Sequence, residues 1–412
     1  MMRLLSHPWR AALALGVVAQ ALFSWRLTIP HSLMFDEVHY VPAARVLRTL
    51  SGPANIEHPL VGKAIIALGM MAFGDNALGW RIFSSVAATA VVVGVFAILW
   101  LTFRSLRTSV IGGVLVLTNF TVFVQARIAM LDGFMAAFVV LAAAAMLWAA
   151  RGHGRAVTWR WLLGGVLLGL ACGTKWTAVP YVGYAALAFV AVRHVAPRAW
   201  PGFGLLPAWT ILGASAGATY LATFAPAFFY TSDALTWRTL LPFQAEMYAR
   251  QTQVLPPHTY QSDWWTWALD LRPIWYLYEP VDGAQRGVLM IGNPAVLWGG
   301  LIAVAACLWA GAMRRDARSA AVAMLWIGSY AIWAVIPKSL GFFYYYYLSS
   351  IWLAVVIAAA SNRFARGRRR GWDEIVLLVA AMLFGWFYPI LSAAALSGPQ
   401  AFQRWMWFDG WR

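Results

Sequence analysis

Apolar runs recur along the chain, each closed by arginines or by a short Gly-, Pro- or Asn-containing turn. Runs of about 20 residues match helices crossing a hydrocarbon layer of about 30 Å at 1.5 Å per residue. Crossings are expected near residues 11–25, 79–103, 108–126, 128–150, 160–174, 176–192, 203–226, 287–311, 319–337, 342–361 and 373–396, eleven in all. One more apolar piece, residues 64–74, has only eleven residues and is too short to cross. It is expected as a short interfacial or re-entrant helix in the first outer loop. The pattern reads as an all-α polytopic membrane protein rather than a barrel of alternating ten-residue strands.

The arginines support this choice of crossings. If residues 64–74 do not cross, then Arg104/Arg107, Arg151/Arg155/Arg160, Arg193/Arg198, Arg314/Arg315/Arg318 and Arg363/Arg366/Arg368/Arg369/Arg370 share one side with Arg3 and Arg10. The positive-inside rule makes that side the cytoplasm. Ala19-Gln20-Ala21 could pass for a signal-peptidase site, but an uncleaved first span is expected, with a cytoplasmic N-terminus in a bacterial plasma (inner) membrane. Of the 15 acidic residues, only Asp316, Asp373 and Glu374 fall on the cytoplasmic side, so chemistry is expected on the periplasmic or extracellular side. Three parts follow: an N-terminal transmembrane module over 1–226 that includes the outer loop 31–78, a long aromatic-rich outer loop over 227–286, and a C-terminal transmembrane module over 287–412.

Composition narrows the function classes. The chain is 62% hydrophobic and 11% charged, against about 25% charged in soluble domains, which excludes an ordinary soluble fold and disorder. The net charge of +16 could indicate nucleic acid. The arginines are accounted for by topology and no basic recognition motif accompanies them, so no nucleic-acid partner is expected. Cys172 and Cys307 both sit in apolar runs, against a disulfide framework or a cysteine metal site. Walker, GxGxxG and HExxH patterns are missing, which removes support for nucleotide-driven chemistry and zinc proteolysis.

The candidate chemistry lies in the outer turns. Asp36 and Glu37 follow the first span, with Tyr40 close behind. Neighbouring helix positions diverge by about 100°, so one carboxylate can face a cavity while the other anchors the loop. Capping of the following helix is the plain alternative. His58 and Lys63 flank Pro59 at the start of the short helix; a structural imidazole and a lysine reaching for headgroups are the alternatives there. Arg127 and Asp132 share one outer turn, Lys175 and Trp176 the next, and Arg272 lies in the long outer loop. Cations beside a carboxylate suit a lipid-linked phosphate leaving group and an incoming nucleophile. The aromatic run Phe342–Tyr347 contributes either an interfacial belt or hydroxyls for a phosphate or sugar.

In order along the chain, these motifs resemble the protein O-mannosyltransferase family, membrane enzymes of the GT-C type. The resemblance rests on Asp36-Glu37 with Tyr40, His58-Pro59-Leu60-Val61-Gly62-Lys63, Arg127 with Leu131-Asp132, Gly173-Thr174-Lys175-Trp176, Trp264-Trp265-Thr266-Trp267 through Arg272-Pro273-Ile274-Trp275-Tyr276, Ile291-Gly292-Asn293-Pro294 and the tyrosine run. Leu60 stands where the family's stretch has a second proline, the tyrosine run lacks a histidine, and residues 227–286 leave no room for a soluble insert of the eukaryotic kind.

The resemblance implies a GT-C fold and inverting transfer of a sugar, mannose by analogy, from a polyprenyl-phosphate donor to Ser/Thr hydroxyls of a secreted or periplasmic protein. It implies Asp36 as general base with Glu37 beside it. Arg127, Lys175, Arg272 and Lys63 would lie on the donor phosphate, assisted by Tyr345 and Tyr346, while His58, Asp132, Tyr40 and Trp176 would orient the acceptor or the cations. No metal and no cofactor are implied; membrane lipids are the other partners. Two alternatives stay open: a GT-C enzyme modifying a lipid or cell-wall glycan, as aminoarabinose transferases do, and a lipid-linked-sugar transporter, which the missing internal repeat disfavours.

Overall fold

The computed structural model describes residues 7–365 and 371–412. Arg3 and Arg366, Arg368, Arg369 and Arg370, counted above as cytoplasmic charges, lie outside the described residues.

The helices are α1 (Pro8–Ser24), α2 (Glu37–Thr49), α3 (Val61–Phe73), α4 (Ala77–Phe103), α5 (Leu106–Leu117), α6 (Phe120–Gln125), α7 (Leu131–Ala149), α8 (Arg155–Cys172), α9 (Val179–Val195), α10 (Leu205–Ala222), α11 (Leu240–Gln251) and α12 (Trp264–Trp267). After a hairpin of β1 (Ile274–Val281) and β2 (Ala284–Met290) come α13 (Pro294–Arg314), α14 (Ala317–Ala331), α15 (Tyr347–Phe364) and α16 (Trp372–Leu391). Among the described residues, seven helices are long and apolar enough to cross a membrane by length and composition. They are α4, α7, α13 and α16, together with α9, α10 and α15 extended by adjoining 3-10 turns. α1, α5 with α6, α8 and α14 occupy the other four expected crossings and are shorter or less apolar. α3 has 13 residues, about 20 Å at 1.5 Å per residue.

The hairpin departs from the all-α expectation and moves the start of the span expected at 287 to Pro294. Asp282 and Gly283, both at positive φ (51° and 72°), make the turn, as a two-residue connection between right-twisted strands requires. The strands pair antiparallel from Val281–Ala284 to Ile274–Met290. The expected span 108–126 is broken at Thr118-Asn119. There the Asn119 side chain receives the Thr121 N–H, restarting the chain as α6.

By contacts the chain forms two compact units that interleave along the sequence. The first holds residues 1–35, 95–128 and 254–412, the second residues 36–94 and 129–253. In the first unit α15 is the central helix. All fifteen residues from Tyr347 to Ser361 are buried, and α5, α13 and α14 pack around it. Ser350 on it finds partners: Asn119 Nδ2 donates to the Ser350 carbonyl at 3.3 Å, and Thr121 and Ser350 share a hydroxyl contact at 2.7 Å. Nearby, Asn293 Nδ2 bridges the carbonyls of Thr118 and Ala380.

In the second unit α7, α8 and α10 pack side by side and α3 lies against α7. Two glycines permit the close approaches. A Cβ on Gly62 would lie 2.5 Å from Leu131, and one on Gly173 would lie 2.7 Å from Thr223. The Val61 N–H donates to the Gly173 carbonyl at 2.9 Å, joining the start of α3 to the turn that carries Lys175.

Candidate active site

In the second unit, Asp36 occupies the N-cap position of α2, but its side chain makes no capping bond to the helix. It is partly buried, and the Tyr40 hydroxyl one turn on donates to it at 3.4 Å. Burial pushes its carboxyl above the ordinary carboxylate range, while the charges of Lys175 and His39 pull it back. A carboxylate with a raised pKa and few committed hydrogen bonds is equipped to accept a proton.

Glu37 points elsewhere. It is fully buried, and Arg81 on α4 donates to both of its oxygens at 2.7 Å. The Ala129 N–H donates to the same carboxylate at 2.8 Å. Glu37 ties the start of α2 to α4 and to the turn before α7, as the loop-anchoring member of the carboxylate pair would. Arg81 was not among the expected site residues. Its signal was an arginine near one end of an apolar run, a place where a cation needs a partner.

Lys175 Nζ donates to both oxygens of Asp132 at 2.9 and 2.7 Å, and both residues are buried. The pair joins the turn after α8 to the first turn of α7. Trp176 begins a 3-10 turn and its indole donates to Tyr220 at 2.9 Å.

Lys63 is 1% exposed, and its ammonium donates to the carbonyls of Ala54, Asn55 and His58 at 3.0, 2.9 and 2.8 Å. An ammonium has three hydrogens. Here all three hold the loop between α2 and α3. Burial lowers Lys63 to about 7, with Glu57 opposing. The His58 ring lies 5.8 Å from Tyr40. His58 also lines a cavity of about 420 Å³ between loop 53–63 and residues 227–246.

The first unit holds the other expected residues. Arg127 is 4% exposed and donates to the carbonyls of Phe23, Trp25 and Arg26, so it satisfies the C-terminal end of α1. Arg272 donates to the carbonyls of Gly410, Arg412 and Thr259. Both expected phosphate ligands therefore bind backbone. Tyr346 is buried and receives the Trp326 indole N–H at 3.0 Å, while Tyr345 stacks on Trp333 with centroids 4.7 Å apart. Asp270, absent from the expected set, is 1% exposed, receives the Gly292 N–H at 3.1 Å, and is pushed well above the carboxylate range by burial.

Comparison with known proteins gives a consistent picture. Residues 66–228 match a family described as dolichyl-phosphate-mannose-protein mannosyltransferase, and residues 236–411 match one described as the C-terminal four-TMM region of protein-O-mannosyltransferase. A polyprenol-phosphate-mannose–protein mannosyltransferase of Mycobacterium tuberculosis is 31% identical, over 97% of this chain and 90% of its own length. Among solved structures, a chain of the S. cerevisiae Pmt1-Pmt2 complex bound to the sugar donor superposes with a TM-score of 0.83 at 12% identity, covering 99% of this chain and 94% of that one. ArnT from Cupriavidus metallidurans bound to undecaprenyl phosphate gives a TM-score of 0.61 at 15% identity, covering 90% and 63%. At these identities the structural matches speak for the GT-C fold alone.

Proposed function

The chain belongs to the protein O-mannosyltransferase family, and on that premise we propose that Asp36 is the general base of mannose transfer from a polyprenyl-phosphate donor to a polypeptide hydroxyl. It is a multi-pass membrane glycosyltransferase that moves mannose to proteins. The observation that carries the assignment is the contrast between two adjacent carboxylates: Glu37 is fully engaged by Arg81 and Ala129, while Asp36 makes no capping bond to its helix, accepts a long bond from the Tyr40 hydroxyl and carries a raised pKa.

In this reading Asp36 takes the proton of a Ser or Thr hydroxyl as its oxygen forms a bond to the anomeric carbon. The bond from that carbon to the phosphate oxygen breaks, and polyprenyl phosphate leaves with the electron pair. Direct displacement inverts the anomeric centre. Phosphate is already a good leaving group, so no general acid and no resident metal or cofactor is required. Positive charge nonetheless lowers the barrier as negative charge grows on the phosphate. In the second unit Lys175 supplies that field beside Asp36, and Asp132 holds its ammonium in place. The acidic outer turns and the cytoplasmic arginines favour a site on the outer face of a bacterial inner membrane.

The test is transfer of mannose from polyprenyl-phosphate mannose to a Ser/Thr peptide in membranes carrying the wild-type or the Asp36→Asn protein. Loss of transfer in the variant, with the protein still present at wild-type level, is expected. Wild-type rates in Asp36→Asn would remove Asp36 as the base. Transfer undiminished by a chelator is expected as well.

A further inference from the structure

Beside the cavity lined by His58 and Lys63, the second unit holds another hollow, of about 330 Å³, between α2 and loop 53–58. Its floor is one flank of α2, formed by Val38, His39, Pro42, Ala43 and Val46, and its other wall is Ala54, Asn55 and Glu57. His39 is three positions beyond Asp36, and three residues of helix advance about 4.5 Å. An extended polypeptide advances about 3.3 Å per residue. A segment that runs along α2 from Asp36 therefore covers the start of this floor with its next one or two residues.

The loop wall carries one polar atom that the fold does not use. Asn55 Nδ2 donates to Glu57 Oε2 at 3.0 Å. A carboxylate accepts only, so this bond fixes which end of the amide faces Glu57. The opposite atom, Asn55 Oδ1, is buried and has no hydrogen-bond partner among the described residues. Its neighbours are satisfied: the carbonyls of Ala54, Asn55 and His58 by Lys63, and that of Glu57 by Gln251 at 2.6 Å. A buried acceptor left without a donor calls for an explanation. The Asn55 backbone is held at φ +49°, in the left-handed region that asparagine enters more readily than most residues.

We propose that this hollow seats the acceptor polypeptide next to its reacting Ser or Thr, with Asn55 Oδ1 accepting a backbone N–H of that segment. The proposal rests on the transfer reaction above and adds the residue that positions its acceptor. The apolar floor suits a small peptide side chain, and Glu57 in the wall disfavours the phosphate of the donor. A backbone contact leaves the neighbouring side chains unrestricted.

The test is a cycle between Asn55→Gly and backbone N-methylation of a fluorescent Ser/Thr peptide, scanned one position at a time, with equilibrium binding measured in the absence of donor. Glycine is the substitution because it tolerates the positive φ. Asn55→Gly is expected to weaken binding of the unmodified peptide about fivefold, the scale of one neutral hydrogen bond. One N-methyl position within two residues of the hydroxyl should cost the wild type the same factor and the variant nothing more. Penalties that multiply at every position, or unchanged affinity in the variant, overturn the proposal. A raised KM for the polyprenyl-phosphate donor with unchanged peptide affinity also overturns it, placing Asn55 on the donor. If the binding cycle holds but no mannose is transferred, the peptide seat stands and the reaction assignment falls. If transfer occurs but the cycle fails, only the seat falls.

Discussion

Glu37 and Arg81 face each other through two hydrogen bonds of 2.7 Å, and neither side chain has any exposed surface. Removing one member strands the other charge away from water, which costs about 3–5 kcal/mol, whereas replacing both with apolar groups of similar volume is often neutral. Arg81→Leu should therefore lower the thermal unfolding midpoint in detergent more than the Glu37→Leu/Arg81→Leu double variant does. A double variant as unstable as the sum of the single ones would show that the pair does not act as a unit.

Asp36 should also give the pH profile of transfer its acidic limb. Burial raises its pKa in the folded protein, and the base works only when deprotonated. The rate should climb with pH through a value above the 3.8 of an ordinary aspartate. In Asp36→Asn that limb should disappear, with the residual rate down by about 10²- to 10⁴-fold. A limb that persists in the variant would assign it to another group.

Lys175 and Asp132 form a second buried pair, with side chains 5% exposed each. Lys175→Met should both destabilise the protein and slow transfer, because it strands Asp132 and removes positive charge beside Asp36. Restoring stability through Lys175→Met/Asp132→Leu should leave transfer slow. Recovery of the rate along with stability would reduce Lys175 to a structural role.

Arg127 makes the opposite prediction. Its guanidinium serves the carbonyls of Phe23, Trp25 and Arg26, so Arg127→Ala should cost stability, about 1–3 kcal/mol for buried acceptors left unpaired. KM for the polyprenyl-phosphate donor should stay unchanged in the folded fraction. A large rise in KM without loss of stability would restore the phosphate-binding role expected from the sequence.

Lys63 provides a pH-dependent local stability. Folded, it titrates near 7; with the loop open it returns toward 10.5. Between those values the open loop holds more protons than the closed one, so opening costs more as pH rises. Hydrogen exchange of residues 53–58, corrected for intrinsic rates, should show protection increasing from about pH 7 upward. Lys63→Met should abolish that slope. Protection that falls across the same window would contradict the assignment.

The helical membrane architecture was legible because apolar run length is read directly along the chain. Asp36, Lys175 and Asp132, read from three separate turns, do come together within the second unit. What each cation binds was not legible. Lys63, Arg127 and Arg272 each donate to backbone carbonyls, and such carbonyls have no sequence signature. Arg81 lies 44 positions from Glu37, a separation that periodicity cannot bridge. The hairpin had a local signal in Asp282-Gly283 between aromatic and β-branched residues, which the apolar run from 287 obscured.

The break between α5 and α6 bears on how the chain is made. Asn119, Thr121 and the Thr118 carbonyl find their partners in Ser350 and Asn293, more than 170 positions later. Until the ribosome has passed those positions, this polar kink has only its local bonds and none of its long-range partners. The second unit, whose last residue is Gln253, has by then already emerged. Biogenesis is therefore expected to be nested: the inner block consolidates while the first helices wait, and the outer block closes only when its C-terminal helices arrive.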